Sequence, residues 1–156
     1  GGAEPPTLRD RGAMAGVEQD WAALVPELLV TDLARSRAFW CDLCGFGVRF
    51  ARPEDGFLYL QLGGAQVMLE EIGAEAWVTG PMAAPFGRGI NLQIEVAAVA
   101  PIAARLAAAG VVPFRALHED WYREGAVEHG QAQLLVQDPD GYLLRFVEVL
   151  GTREAR

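Results

Sequence analysis

Alternating apolar and polar residues predict most of the strands in this chain. In FLYLQL (57–62) and INLQIEV (90–96) every second residue is apolar, which is the two-residue period of a half-buried strand. Glycines at 63–64 and the sequence DPDG at 138–141 have the composition of tight connections between strands. Further strands are predicted at about 24–30, 47–52, 66–71, 111–116, 131–137 and 142–149.

Two other segments have the apolar spacing of a helix packed on one side. The first begins at about residue 32, where Asp32 or Thr31 can cap it, and ends before Gly45. The second covers about 99–109 and ends before Gly110. Glycine directly after the last helical residue is a common way to end a helix. The order of elements is therefore β-α-β-β-β, and it occurs twice.

This repeat predicts an α+β protein built from two βαβββ modules. Each module has one helix on one face of a four-stranded sheet and leaves the other face open, and two open faces can enclose a cavity. The predicted segments are a flexible N-terminal tail (1–20), module one (23–72), a linker (73–88), module two (89–150) and a C-terminal tail (151–156), with both modules in a single domain over 21–150.

Strand parity predicts which side chains lie on the open faces. Because the apolar set of each strand must cover the helix, the intervening residues point to the opposite side. They include amides, carboxylates, aromatic rings and a thioether, which suits a partly apolar ligand, although an antiparallel sheet can also leave one face in water. The predicted ligand-binding residues are Glu27, Tyr59, Gln61, Met68, Glu70, Asn91, Gln93, Trp121 and Arg145.

Composition and charge argue against nucleic acid and membranes as partners. The chain has 156 residues, 51% of them hydrophobic, and a formal net charge of −8. Such an acidic chain is a poor match for nucleic acid, and it attracts cations at long range, although solubility alone also explains the charge. No apolar run approaches the roughly 18 residues of a membrane span, and no apolar signal core is present, so we expect a cytoplasmic protein without a membrane partner.

The residues that most often carry catalysis give no catalytic pattern. Cys41 and Cys44 form a C-x-x-C sequence, but no second cysteine pair exists to complete a zinc site, and both lie on the apolar side of the first helix. His118 and His129 lack the carboxylate and nucleophile spacing of an acid–base site. We therefore predict no catalytic residue and no cofactor.

The chain resembles the vicinal-oxygen-chelate superfamily, which includes glyoxalases and bleomycin-resistance proteins. The resemblance covers about residues 23–150 and depends on VPELLVTDLARSRAFWCDLCGF, INLQIEVAAVAPIAARLAAAG and QDPDGYLLRF. It implies the paired βαβββ fold inferred above and assembly as a homodimer. Whether the two modules pair within one chain or between subunits stays open.

The resemblance also locates the positions at which metal-dependent members hold their ion. They correspond to Val25, Asn91 and Arg145. Valine and arginine have no lone pair to offer a metal, and asparagine is a weak donor, so we predict no metal site. Arg145 instead could pair with Glu27 or Glu70 across the groove, or bind an anionic group of a ligand.

The substituted metal positions favour the bleomycin-resistance branch, which Val25-Pro26, Phe39-Trp40 and the sequence WYRE (121–124) also resemble. The resemblance implies sequestration of a bulky, cationic, antibiotic-like molecule, bleomycin being the candidate, in a groove at a dimer interface and without chemistry. One alternative is a metal-dependent lyase, isomerase or dioxygenase of the superfamily with a displaced metal site. Another is a sensor or protein-interaction module.

Overall fold

The first sheet, sheet A, is formed by module one. A computed structural model describes residues 20–156, so the predicted tail lies, except for Asp20, outside the described residues. The strands of sheet A are β1 (Glu27–Val30), β2 (Gly47–Arg52), β3 (Phe57–Leu62) and β4 (Ala65–Glu71). Their spatial order is β1-β4-β3-β2, with β1 parallel to β4 and the other pairs antiparallel.

The helix of module one begins as predicted but changes its hydrogen bonding halfway. Helix α1 (Leu33–Arg37) is capped by the Asp32 side chain, and the chain continues as a π-helical segment over Ala38–Leu43. In that wider turn the neighbouring residues Phe39 and Trp40 are both buried, with 5% and 0% of their surface exposed. The π-helical hydrogen bonding thus allows two adjacent large rings to enter the core, where a regular helix would direct them further apart.

The second sheet, sheet B, is formed by module two and has much longer strands. It contains β5 (Asn91–Glu95), β6 (Arg115–Glu124), β7 (Val127–Gln137) and β8 (Leu143–Glu154), with α2 (Ala100–Ala108) between β5 and β6. The spatial order β5-β8-β7-β6 repeats that of sheet A. The α+β class and the two βαβββ modules are therefore confirmed. Among the described residues, no helix has the length and apolar content that a membrane span requires.

Three boundaries in sheet B differ from the sequence prediction. The strand predicted at 111–116 begins at Arg115 and continues to Glu124, so HEDWYREG, predicted as a loop or strand edge, is mostly regular strand. Strand β7 begins at Val127 instead of 131. Strand β8 continues to Glu154, into the segment predicted as a C-terminal tail. These extensions carry polar residues on both faces, so they lack the apolar alternation that identifies a half-buried strand.

The helix-facing sides of both modules form one continuous core. Its buried residues include Phe39, Trp40, Leu60, Leu69, Ile94, Ile102, Leu134, Val136, Leu144 and Phe146. The parity predicted for the central strands is therefore confirmed. Two inward assignments were wrong: Ile90 precedes β5 and is 62% exposed, and Tyr142 precedes β8 and donates its hydroxyl hydrogen to the Leu29 carbonyl.

The DPDG turn of module two is docked on module one. Trp40 Nε1 donates to Asp138 Oδ2 at 3.1 Å, and the Thr31 hydroxyl donates to Asp140 Oδ1. Asp138 and Asp140 are both buried, with 4% and 5% exposed. The turn thus hydrogen bonds the two modules together in addition to connecting two strands.

Candidate functional site

Each sheet has a second face, on the side opposite the shared core, and eight of the nine predicted ligand-binding residues lie on these faces. Strand pairing gives the assignment, because residues opposite each other in a ladder point to the same side. Face A, the open face of sheet A, carries Glu27, Tyr59, Gln61, Met68 and Glu70. Face B, the open face of sheet B, carries Asn91, Gln93 and Arg145.

Trp121, the ninth residue, lies on the opposite side of β6 from face B. Its ring covers Gly130, where an added Cβ atom would lie 2.5 Å from the nearest ring atom, and the Arg153 guanidinium lies 4.0 Å from the ring centroid. The neighbouring Tyr122 points to face B, where its hydroxyl oxygen is 2.6 Å from Gln133 Nε2. Of this adjacent aromatic pair, Tyr122 is therefore the one on the open face.

Arg145 lies near the middle of face B. Its Nη2 donates to Gln93 Oε1 at 2.7 Å, and its Nε is shielded from solvent without a hydrogen-bond partner among the described residues. The sequence left two alternatives for Arg145, an ion pair with Glu27 or Glu70 and an anionic group of a ligand. The ion pair does not form within residues 20–156 of one chain. Both carboxylates are on face A, and the core that joins the modules lies between the two sheets.

One end of face B holds a polar network that the sequence reasoning missed. Gln133, with 2% of its surface exposed, donates through Nε2 to the Tyr122 hydroxyl and to Asp120 Oδ2, the latter at 3.1 Å. His118 Nε2 lies 2.9 Å from the same Asp120 oxygen. In the sequence HEDWYRE, every second residue from His118 to Tyr122 is one of the network (His118, Asp120, Tyr122). That spacing predicts one shared face only if the segment is a strand, which the sequence alone did not establish.

Face A is more apolar and is partly covered by the chain that precedes β1. Tyr59 and Met68 are 1% and 5% exposed, and the Trp21 ring lies edge-on at 5.1 Å from the Tyr59 ring. Gln66 Oε1 accepts from the Tyr59 hydroxyl at 2.6 Å and from the Ala22 amide at 2.9 Å. Tyr59 and Met68 therefore form the floor of face A beneath Trp21.

Glu27 and Glu70 form a carboxyl pair at the edge of face A. Burial raises the pKa of Glu27 to about 7, and the hydrogen bond and charge repulsion from Glu70 act in the same direction, while the Arg52 guanidinium opposes them. Near neutral pH the pair can therefore hold one proton and one negative charge. Such a pair can accept a hydrogen bond from a cationic group and lose its shared proton in the process.

The raised pKa of Glu27 makes protein stability depend on pH in a defined direction. Because the folded value of about 7 exceeds the ordinary value of 4.5, the contribution is full below about 4.5 and is lost as pH rises through about 7. We expect the free energy of unfolding of the wild type to fall relative to that of Glu27→Gln over this window, in urea titrations at stepped pH.

A carboxyl carbon NMR titration provides the control for this prediction. Its midpoint for Glu27 is expected near 7 in the wild type and at a lower pH in Glu70→Gln, which removes the repulsion and retains the burial. A wild-type midpoint near 4.5 would contradict the assignment.

The residues at the implied metal positions do not fit a divalent ion. Val25 packs into the aromatic cluster of face A, Asn91 is exposed, and Arg145 carries a permanent positive charge. Within residues 20–156 no group of three or more His, Cys, Asp or Glu side chains is close enough together to hold a metal.

Comparison with known proteins gives a family and several relatives. Residues 19–146 match the model of the Glyoxalase/Bleomycin resistance protein/Dioxygenase superfamily. Bleomycin resistance proteins from Geobacillus stearothermophilus and from Staphylococcus aureus (strain MRSA252) are each 26% identical over 133 residues. Each match covers 80% of this chain and 94% of the relative.

Solved structures support the fold. TioX from Micromonospora sp. ML1 is 23% identical with a TM-score of 0.63, and the match covers 83% of this chain and 100% of that one. A bleomycin resistance determinant encoded on the transposon Tn5 is 22% identical with a TM-score of 0.53, covering 83% and 98%. Identities this low show a shared fold and do not identify a ligand.

Proposed function

Because the chain belongs to the glyoxalase/bleomycin resistance protein/dioxygenase superfamily, we propose that it is a small-molecule binding protein of the bleomycin-resistance type. In this proposal it acts in the cytoplasm, where it sequesters a bulky, antibiotic-like molecule with a cationic group and does not transform it. The observation that carries the proposal is that Val25, Asn91 and Arg145 stand where the resemblance to the family places metal ligands, and that these side chains are poor or impossible ligands. Binding then depends on shape, hydrogen bonds and charge.

The arrangement of the two modules supports a groove formed by two copies of the chain. Within one chain the helix-facing sides of both sheets are buried in one core, so face A and face B are both turned away from it. A second copy that places its face B over face A of the first would enclose a cavity with both sets of predicted residues. The protein is therefore proposed to act as a homodimer.

The chemistry of face A supports a cationic group on the ligand. The Glu27 and Glu70 side chains are hydrogen-bonded to each other, and the Arg52 guanidinium is a nearby cation that offsets part of their charge. Phe57 lies beside them, since it is opposite Glu70 in the β3–β4 ladder. The Arg52 guanidinium lies 4.4 Å from the centroid of the Phe57 ring, so the carboxyls and this ring together already accommodate a planar cation of the kind proposed for the ligand.

Calorimetric titration with metal-free bleomycin A2 tests this proposal. We expect saturable binding to the wild type and an affinity lower by at least about 10-fold for Glu70→Gln, which removes a charge-assisted contact. The exposed Glu54, in the short 3-10 turn at Pro53–Asp55, gives a matched control, because Glu54→Gln makes the same side-chain replacement away from face A.

Three results would overturn the proposal or its parts. Absence of binding heat, together with no protection of expressing cells, would end the antibiotic version. A monomer in sedimentation equilibrium at binding concentrations would end the two-copy groove. Near-stoichiometric Zn, Ni, Mn or Fe in protein purified without added metal would favour the metal-dependent enzyme instead.

A further inference from the structure

Two arginines occupy the same row of face B. Arg115 on β6 is opposite Leu135 on β7, and Leu135 is opposite Arg145 on β8. The row ends at Gln93 on β5, which is opposite Arg145. Since neighbouring strands are about 4.8 Å apart, the two arginine Cα atoms are separated by roughly 10 Å, and both side chains point to the same side of the sheet.

Both guanidinium groups retain hydrogen-bonding capacity. Arg145 donates through Nη2 to Gln93; its Nε–H has no acceptor among the described residues but is shielded from solvent, so an anion would be bound by the Nη groups. The Arg115 side chain is 60% exposed and lies 3.9 Å from Asp120. A guanidinium has five N–H donors in a planar fork that matches carboxylate and phosphate oxygens, so each of these groups can accept a further anion.

Arg145 has no carboxylate partner among the described residues, whereas Arg115 is paired with Asp120. Asp120 Oδ2 accepts a hydrogen bond from Gln133, lies beside His118 and is 3.9 Å from Arg115 Nη1, so it offsets part of the Arg115 charge. Glu95 is opposite Val147, one row further along β8 than Arg145. Between the arginines, Leu135 presents an apolar surface that is only half-buried.

We propose that Arg145 and Arg115 form a subsite for an oxyanion carried by an apolar, flat molecule whose ring lies on Leu135. The subsite rests on the proposed function in one respect, that face B lines the ligand groove. It adds an acidic group to the chemistry of the ligand. A ligand with a cationic group at Glu27 and Glu70 and an acidic group at Arg145 would be amphoteric.

Calorimetric titrations with 2-naphthoate, 2-naphthyl phosphate and the uncharged 2-naphthamide test the subsite at low ionic strength. We expect the wild type to bind at least one anion about 10-fold more tightly than the amide. Arg145→Gln is expected to lose that preference and to keep the affinity for the amide. Arg37→Gln, with the same charge change on helix α1, is the control and should retain the preference.

The anion that binds more tightly shows whether the subsite takes carboxylates or phosphate esters. Equal binding of the anions and the amide, or an equal loss of all three in Arg145→Gln, would overturn the proposal. Arg145 could instead pair with Glu27 or Glu70 of a second copy. In that case the wild type will show no preference for the anions, and Arg145→Gln will lower the dimer fraction in sedimentation. That pair of results would also overturn the proposed subsite. Bleomycin binding is measured separately, so its absence with an intact naphthoate preference would reject the proposed function and retain the subsite.

Discussion

Gly141→Ala is expected to lower the free energy of unfolding by about 3 kcal/mol or more, or to prevent folding. Gly141 has a φ of +103°, which L-residues rarely adopt, and an added Cβ would clash with the Pro85 ring and lie 2.6 Å from Pro85 Cα. It would also lie 3.0 Å from Phe86 N, which donates to the Asp140 carbonyl at 2.8 Å. Since two of these contacts are with backbone, no side-chain rotation can relieve them.

Gly151 offers a control for the dihedral angle alone. Its φ is +105°, yet an added Cβ would have no neighbour within 4 Å. Gly151→Ala should therefore cost only about 1 kcal/mol, the strain of the backbone conformation. Unfolding in urea, monitored by tryptophan fluorescence, measures the stability of both variants. If Gly141→Ala fails to fold while Gly151→Ala folds, the result agrees with the expectation. Equal costs at the two glycines would show that the contact with Pro85 is unimportant.

The central part of the fold was predictable because one face of each strand is buried. In INLQIEV the alternation placed Ile94 in the core and Gln93 on the open face, and the structure agrees at both positions. Burial of one face imposes the two-residue period, and that period can be read from a single sequence. Face membership of eight predicted ligand-binding residues followed from the same rule.

The outer half of sheet B was not predictable in this way. Within β6 the half-buried residues are His118, Asp120 and Trp121 and the others are exposed, so HEDWYRE shows no apolar period and was predicted as no more than a loop or strand edge. The network of His118, Asp120 and Gln133 was missed as a result. Strand parity assigns a residue to one face of its sheet but does not tell how the two sheets pack. A contact between Arg145 and Glu27 within one chain was therefore left open by the sequence.

Contacts between distant parts of the chain form a second class that the sequence pattern does not show. The DPDG turn was predicted from its residues, and it is a turn. Its hydrogen bond to Trp40 joins residues 98 positions apart and depends on how the modules dock. Local turn chemistry therefore explained why Asp138 is there but gave no indication that it also bonds the two modules together.

Asp138→Ala is expected to destabilise the protein by about 3 kcal/mol, since it leaves three donors without an acceptor. Asp138 accepts from Trp40 Nε1, from the Asp140 amide at 3.0 Å and from the Tyr142 amide at 2.9 Å. The Trp40 side chain is fully buried, so water cannot replace the lost acceptor. Thermal and urea unfolding of the variant measure the loss.

Asp138→Asn tests the hydrogen bond between the modules separately from the two hydrogen bonds within the turn. Its Oδ1 retains the two backbone hydrogen bonds, while its amide group faces the Trp40 N–H with a second donor, so a smaller loss of about 1–2 kcal/mol is expected. In a Trp40→Phe background the N–H is absent, and Asp138→Asn should then cost almost nothing. Because burial raises the pKa of Asp138, the neutral amide also avoids the cost of a buried charge. An undiminished cost in the Trp40→Phe background would mean that Asp138 stabilises only its own turn and does not hold module two on module one.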